Sequence, residues 1–117
     1  ETYNIGGNNE LANIDIVNLL CKTINQKFTD TPEIKKYYPN SPCSHNQPAE
    51  SLITYVKDRL GHDRRYAVDA SKIAAELGFL PAESFISGLN KTVDWYFENA
   101  EWWQSILDGS YKNKELV

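Results

Sequence analysis

Arg59, Arg64 and Arg65 are the only arginines in this 117-residue chain, and all three fall within seven residues. A guanidinium presents a planar fork of N–H donors that matches phosphate oxygens two at a time, so the grouping points to a diphosphate-like anion. The run Lys57-Asp58-Arg59-Leu60-Gly61-His62-Asp63-Arg64-Arg65-Tyr66 sets four cations against two carboxylates. That local positive excess stands out in a chain with 16 acidic and 12 basic residues and a formal net charge of -4. The overall acidity excludes a general nucleic-acid surface, which needs a positive field along a whole face. The same residues also fit a solvated loop whose arginines pair with Asp58, Asp63 or other surface carboxylates. His62 reads either as a surface residue or as a ligand contact.

Gly6-Gly7-Asn8-Asn9 is the second candidate, a turn where backbone reaches positive φ or approaches a ligand closely. It lacks the third spaced glycine and the acidic residue of a dinucleotide fingerprint. Asn9 either offers its carboxamide to a ligand or simply forms the turn. No Tyr is followed four positions later by Lys, no Ser-His-Asp or Cys-His set assembles, and no carboxylate pair stands in an apolar setting. Cys21 and Cys43 are not spaced as a metal site or redox pair, so two reduced thiols are expected, with Cys21 inert on a helix face. Read from its residues, the chain binds and does not catalyse, and no metal site is expected.

The elements that must position these residues follow from the apolar periodicity. Glu1 to Ile5 reads as a strand end. Asn13 is the expected N-cap of a helix whose Ile14, Val17, Leu20, Cys21 and Ile24 recur at three- and four-residue intervals to about Asn25. Residues 26–50 hold four of the five prolines and read as a proline-rich loop or insertion, with one helical turn allowed at Glu33 to Tyr38. Leu52 to Val56, β-branched and aromatic, is expected as a strand that delivers the arginine loop at its C-terminal end. Asp69 caps a helix that stops at Gly78. Ser84 starts another, carrying Phe85, Leu89, Val93, Tyr96 and Phe97, and Asn99 restarts it for Trp102, Trp103, Ile106 and Leu107. The aromatic set is expected in core packing or an inter-domain contact, with Trp103 marking a contact to a missing partner. Residues 110–117 read as a frayed tail.

One α/β domain over 1–117, mostly helical with a few short strands, is therefore expected. No apolar run approaches the ~18 residues of a membrane span, and the N-terminus lacks a secretory pattern, so a soluble, cytoplasmic protein without membrane partners is expected. The chain contains no Met and begins at Glu1, which leads to the expectation of a piece of something larger.

The run from Ile53 to Ile73, with Gly61-His62-Asp63-Arg64-Arg65-Tyr66 its most particular part, resembles the C-terminal part of the dTDP-glucose 4,6-dehydratases, a family of extended short-chain dehydrogenases/reductases. Tyr3-Asn4-Ile5-Gly6-Gly7, Glu76-Leu77-Gly78-Phe79 with Pro81, and Gly88 through Lys91-Thr92-Val93 to Trp95-Tyr96 carry the same likeness, which covers about Glu1 to Gly109 apart from the proline-rich loop. The resemblance implies a parent enzyme with an N-terminal Rossmann domain that holds NAD, absent from this chain, and a C-terminal portion that grips the nucleotide sugar. It implies conversion of dTDP-glucose to dTDP-4-keto-6-deoxyglucose and water in rhamnose-type deoxysugar and O-antigen biosynthesis, by a homodimer. The catalytic groups belong upstream, so this piece alone is expected to be inactive and to bind no cofactor. Substrate contacts carry over to Asn9, Asp58, Arg59, Leu60, Gly61 and His62, with Arg64, Arg65 and Tyr66 supporting the loop. Leu60 stands where the family usually has proline, and Asn8 where His is common. Two rival readings stay open: another sugar-nucleotide epimerase or decarboxylase of the superfamily, and a stand-alone nucleotide-binding or interaction module.

Overall fold

The computed structural model describes residues 1–62 and 66–113, and its regular elements are helical. The apolar stripe that begins at Ile14 continues through Phe28, and the first helix, α1, accordingly runs Asn13–Asp30, five residues past its expected end. Two side-chain bonds hold the added turn: Thr29 Oγ1 donates to the Asn25 carbonyl (3.0 Å), and Gln26 Nε2 to Asp30 Oδ1 (2.8 Å). Asn13 is not the cap. Ala12 occupies that position with extended backbone, and its carbonyl accepts from the Asp15 and Ile16 N–H groups, so no side chain closes the end. The helix stops at Thr31 because the following Pro32 disfavours helical backbone in the residue before it.

Prolines punctuate residues 31–53 without abolishing structure. The expected single turn is present as α2, Ile34–Tyr37, and two 3-10 turns follow at Pro42–His45 and Ala49–Leu52. Pro42 opens its turn from a first-turn position, where the missing N–H costs nothing. Asn25 ties these turns to α1. Its Oδ1 accepts from the Ala49 N–H (2.8 Å) and the Cys43 thiol (3.3 Å), while its Nδ2 donates to Glu50 Oε2 (2.7 Å). Around this hub Cys21, Phe28, Ile34, Cys43 and Ala49 form the core, and burial pushes the Cys21 thiol above its ordinary range.

Three further helices follow: α3, Ser71–Leu77; α4, Phe85–Glu98; and α5, Ala100–Leu107. Ser84 caps α4 as expected, its hydroxyl accepting from the Ser87 N–H. The α4 helix lies along α1 through the Lys27–Asp94 ion pair and a Thr23–Asn90 hydrogen bond (3.2 Å), with Phe97 edge-on to Phe28 at 6.0 Å. An apolar groove of about 490 Å³ remains between them, lined by Leu20, Ile24, Leu89 and Val93 among others. Trp103 has partners within the chain: its indole N–H donates to the Tyr96 carbonyl (2.9 Å) and its ring stacks on Tyr38. Trp102 is the outward member of the pair, 54% exposed. Ser110–Asn113 form a 3-10 turn where fraying was expected, and residues 114–117 of that expected tail lie outside the described residues.

The strands expected at Glu1 to Ile5 and Leu52 to Val56 do not form; among the described residues no ladder exists. A strand is a paired object, and β-branched side chains favour extended backbone without supplying a neighbour. Correspondingly, the accessible surface of 9769 Å² exceeds the roughly 6,500 Å² of a compact monomer of this mass. The radius of gyration is 18.2 Å, against about 13 Å for a compact chain of this length.

Candidate functional site

The first candidate segment sits on an arm of the molecule built from the N-terminal stretch laid along residues 66–76, and the second, residues 57–62, precedes that stretch along the chain. Tyr3 Oη donates to Glu76 Oε2 (2.9 Å), which raises the tyrosine's pKa. Asn4 Nδ2 reaches the Asp69 carbonyl at 3.4 Å. Lys72 pairs with Glu1 (2.6 Å) and sits 5.0 Å from the centre of the Tyr3 ring. Asp69 accepts from the Ser71 N–H (2.9 Å), which holds its carboxyl below the ordinary range. It therefore supports the start of α3 as expected, although Ala70 is the residue at the cap position.

Gly6 explains half of the double glycine. A Cβ there would lie 3.1 Å from the Val68 Cβ and 3.3 Å from its carbonyl oxygen, so glycine lets the two strands of chain touch. Gly7 faces open space, and Asn8 takes the positive φ, 53°. Asn9 turns inward on its own loop, Nδ2 donating to the Gly7 carbonyl at 3.2 Å, which leaves Oδ1 as its other polar atom. Gly6 to Glu10 line a cleft of about 200 Å³ with Tyr66 and Val68. Asn9 and Tyr66, distant in sequence, thus meet; residues 57–62 are not among the walls of this cleft.

In the arginine segment, Leu60 and Gly61 form a turn with Gly61 at φ 74°, and the chain folds back so that His62 meets Asp58. Asp58 Oδ1 accepts from the Arg59 N–H (2.8 Å) and lies 2.7 Å from His62 Nδ1. The carboxylate expected to touch substrate or neutralise an arginine side chain is engaged through Oδ1 with the Arg59 N–H and the His62 ring. Among the described residues no carboxylate lies within ion-pair reach of Lys57 or Arg59. Leu60 is fully exposed. Arg64 and Arg65 lie outside the described residues. The Asp58–His62 pairing was missed from sequence, although its signal is there: an acid and an imidazole four apart across a Leu-Gly turn.

Among the described residues no three metal-ligating side chains come together, and no helix is long and apolar enough to cross a membrane. In the double glycine it is Gly6 whose close approach is taken up by Val68, while Gly7 faces open space. What residues 57–62 can do is meet an anion, through the Arg59 guanidinium and an imidazole held by Asp58, while the Asn9 carboxamide stands in its own cleft beside Glu10.

No family model matches the chain. Over 116 residues, 99% of its length, it is 47% identical to the dTDP-glucose 4,6-dehydratase of Escherichia coli, covering 29% of that protein. It is 49% identical, also over 116 residues, to the protein of that name from Neisseria meningitidis serogroup B, covering 30% of it. A relative from Sinorhizobium fredii, named probable dTDP-glucose 4,6-dehydratase, is 44% identical over the same span. The chain spans less than a third of the length of these curated relatives, as a C-terminal piece. The resemblance first seen in the Gly61 to Tyr66 run is borne out across nearly the whole chain, residues 26–50 included.

Proposed function

We propose that this chain is the nucleotide-sugar-gripping portion of a dTDP-glucose 4,6-dehydratase, a hydro-lyase that converts dTDP-glucose to dTDP-4-keto-6-deoxyglucose and water. One observation carries the reading beyond likeness: Arg59 stands beside a carboxylate that is already committed to its own backbone N–H and to His62. Among the described residues no carboxylate is within ion-pair reach of the Arg59 guanidinium, whose paired donors suit phosphate oxygens. In this assignment Arg59 and His62 hold the diphosphate, the Leu60-Gly61 turn sets their spacing, and Asn9 contributes its carboxamide beside Tyr66. Arg64 and Arg65 add positive charge to the same loop.

In this assignment the chain's residues bind and orient, and the proton transfers of the elimination belong to groups upstream of it. NAD, when bound to the parent enzyme, supplies hydride transfer. It is assigned to an N-terminal Rossmann domain outside this chain. The expected setting is a cytoplasmic, homodimeric enzyme of nucleotide-sugar metabolism, and the isolated chain is expected to be inactive.

Arg59→Ala in the intact dehydratase tests the assignment. It should weaken binding of dTDP and of dTDP-glucose by about 1.5–3 kcal/mol, the scale of a charge-assisted hydrogen bond, and leave NAD affinity alone. Unchanged dTDP affinity and Michaelis constant would remove Arg59 from the site, and equal turnover of UDP-glucose would reject the dTDP-specific reading.

A further inference from the structure

We propose that Cys21 and Cys43 are a redox-sensitive latch: a hydroperoxide converts the two thiols to a disulfide that fastens the Pro42–His45 turn to α1. The latch lies in the helical core, apart from residues 57–62, and stands whatever those residues bind.

These are the only sulfur atoms of the chain, and the fold brings them, as free thiols, into one buried cluster from positions far apart in sequence. Asn25 shows how near they lie. Cys21 and Asn25 stand one turn apart on the same face of α1, where Cβ atoms at i and i+4 are about 5–6 Å apart. Cys43 is the one buried residue of its turn, and its thiol reaches that face directly, donating to Asn25 Oδ1 at 3.3 Å. Its sulfur therefore needs to move only about one helical turn back along α1 to meet Cys21. Leaving Asn25 strands no polar group: Oδ1 keeps the Ala49 N–H (2.8 Å), and Nδ2 keeps Glu50 (2.7 Å).

The two thiols differ in access, which sets the order of the chemistry. Cys43 forms part of the wall of an open cavity of about 530 Å³, beside Thr29, Lys35 and Gln47. Cys21 is buried on α1, and burial pushes its thiol above the ordinary range. Cys43 accordingly reacts first: its sulfur attacks hydrogen peroxide, the O–O bond breaks, and a sulfenic acid forms as one water leaves. The Cys21 sulfur then attacks the Cys43 sulfur, the S–O bond breaks, and the hydroxyl leaves with the Cys21 proton as a second water. Two thiols are oxidised to one disulfide while the peroxide is reduced to two waters. In a reducing compartment such a bridge is transient, as a sensor requires.

Hydrogen peroxide added to this chain, followed by alkylation of the remaining thiols and peptide mass analysis without reductant, decides the point. The expected product is a monomer in which the Cys21 and Cys43 peptides are joined with the loss of two hydrogens, and a thiol reductant should separate them. Cys21→Ser should stop at a Cys43 sulfenic acid that dimedone traps, and Cys43→Ser should leave Cys21 unoxidised. A bridge closes a loop in the denatured chain, so the urea midpoint of the oxidised native chain should rise by about 1–2 M, and peroxide should raise that of neither serine variant. Recovery of two free thiols, or bridges only between chains, overturns the latch. Dimedone on Cys21 instead of Cys43 overturns the assigned order. A joined pair whose midpoint is unchanged or lower overturns the fastening role. Where a serine variant does not fold, the peptide map and midpoint of the native chain still decide.

Discussion

The body and the arm of this molecule are held together by different physics. The body, α1 with residues 31–53, α4 and α5, closes over Cys21, Phe28, Ile34, Cys43 and Ala49. The arm, residues 1–10 and 54–78, buries only Ala70 and Ile73, and every described residue from 54 to 69 is exposed. Its shape comes from polar contacts: Tyr3 to Glu76, Lys72 to Glu1, Asp58 to His62. Burial is worth about 25 cal/mol per Å² and is indifferent to direction, whereas hydrogen bonds fix direction and stabilise little. The candidate ligand groups therefore sit where orientation is specified and stability is not. Substitutions in the body should cost folding, and those in the arm should cost ligand.

Phe28→Ala is the largest test of that division. Phe28 is 5% exposed and meets both Tyr38 and Phe97. Its truncation should destabilise the chain by about 3–5 kcal/mol in urea denaturation, most of the stability of a small domain. A loss below about 1 kcal/mol would mean that the body is not where folding free energy resides.

Asn25→Ala comes next, because one side chain joins three parts of the body. It strands the Ala49 N–H, whose unmet hydrogen bond should cost about 1–3 kcal/mol. Part of the deficit should depend on pH. The Asn25 amide donates to Glu50 and holds its carboxyl below the ordinary 4.5. A depressed folded-state pKa contributes stability that is present above the unfolded value and lost as pH falls through the folded one. Native and variant should therefore draw closer below about pH 4.5, and a gap that stays constant to pH 2 would detach Glu50 from the hub.

The body was largely legible in sequence, and the arm was not. Apolar spacing gives α1, α4 and α5; Ser84 and Gly78 mark helix ends because their chemistry is local, a hydroxyl on the Ser87 N–H and a positive φ. Asn13 misled because capping preference says little about which carbonyl closes the first turn, and Ala12 provides it. Ile53-Thr54-Tyr55-Val56 misled because β-propensity describes a residue and a strand requires a partner. The site residues were singled out by type, yet the pairing of Asp58 with His62 and the fit of Gly6 to Val68 depend on where the chain turns back. The stacking of Trp103 on Tyr38 had no sign in sequence, because it depends on where residues 31–53 fold back.

Gly6→Ala probes the arm alone. The new Cβ would sit 3.1 Å from Val68 Cβ and 3.2 Å from its Cγ1, so the two segments must part by a few tenths of an ångström. Val68 is 48% exposed and can yield, which places the cost near 1 kcal/mol, the low end for overpacking. Amide exchange at residues 66–70 should quicken and dTDP binding weaken, with the denaturation midpoint of the body unmoved. A drop in that midpoint comparable to the Asn25→Ala effect would show that arm and body fold as one unit and would dissolve the comparison.

The smallest effect should come from Leu60→Pro, and its sign carries the information. Leu60 is fully exposed and its N–H makes no backbone hydrogen bond among the described residues, so proline removes neither packing nor a donor in use. What it changes is the freedom of the turn: a fixed φ at residue 60, and an extended bias at Arg59. If the Asp58–His62 closure already selects that backbone, the substitution should stabilise the closed loop by about 0.4–1 kcal/mol and tighten dTDP binding two- to fivefold, with the body's stability unchanged. If affinity falls instead, Leu60 is supplying a φ that proline cannot adopt. The orientation of His62 would then depend on a turn specific to this chain, and the arm's weak self-stabilisation would itself be part of how its binding loop is shaped.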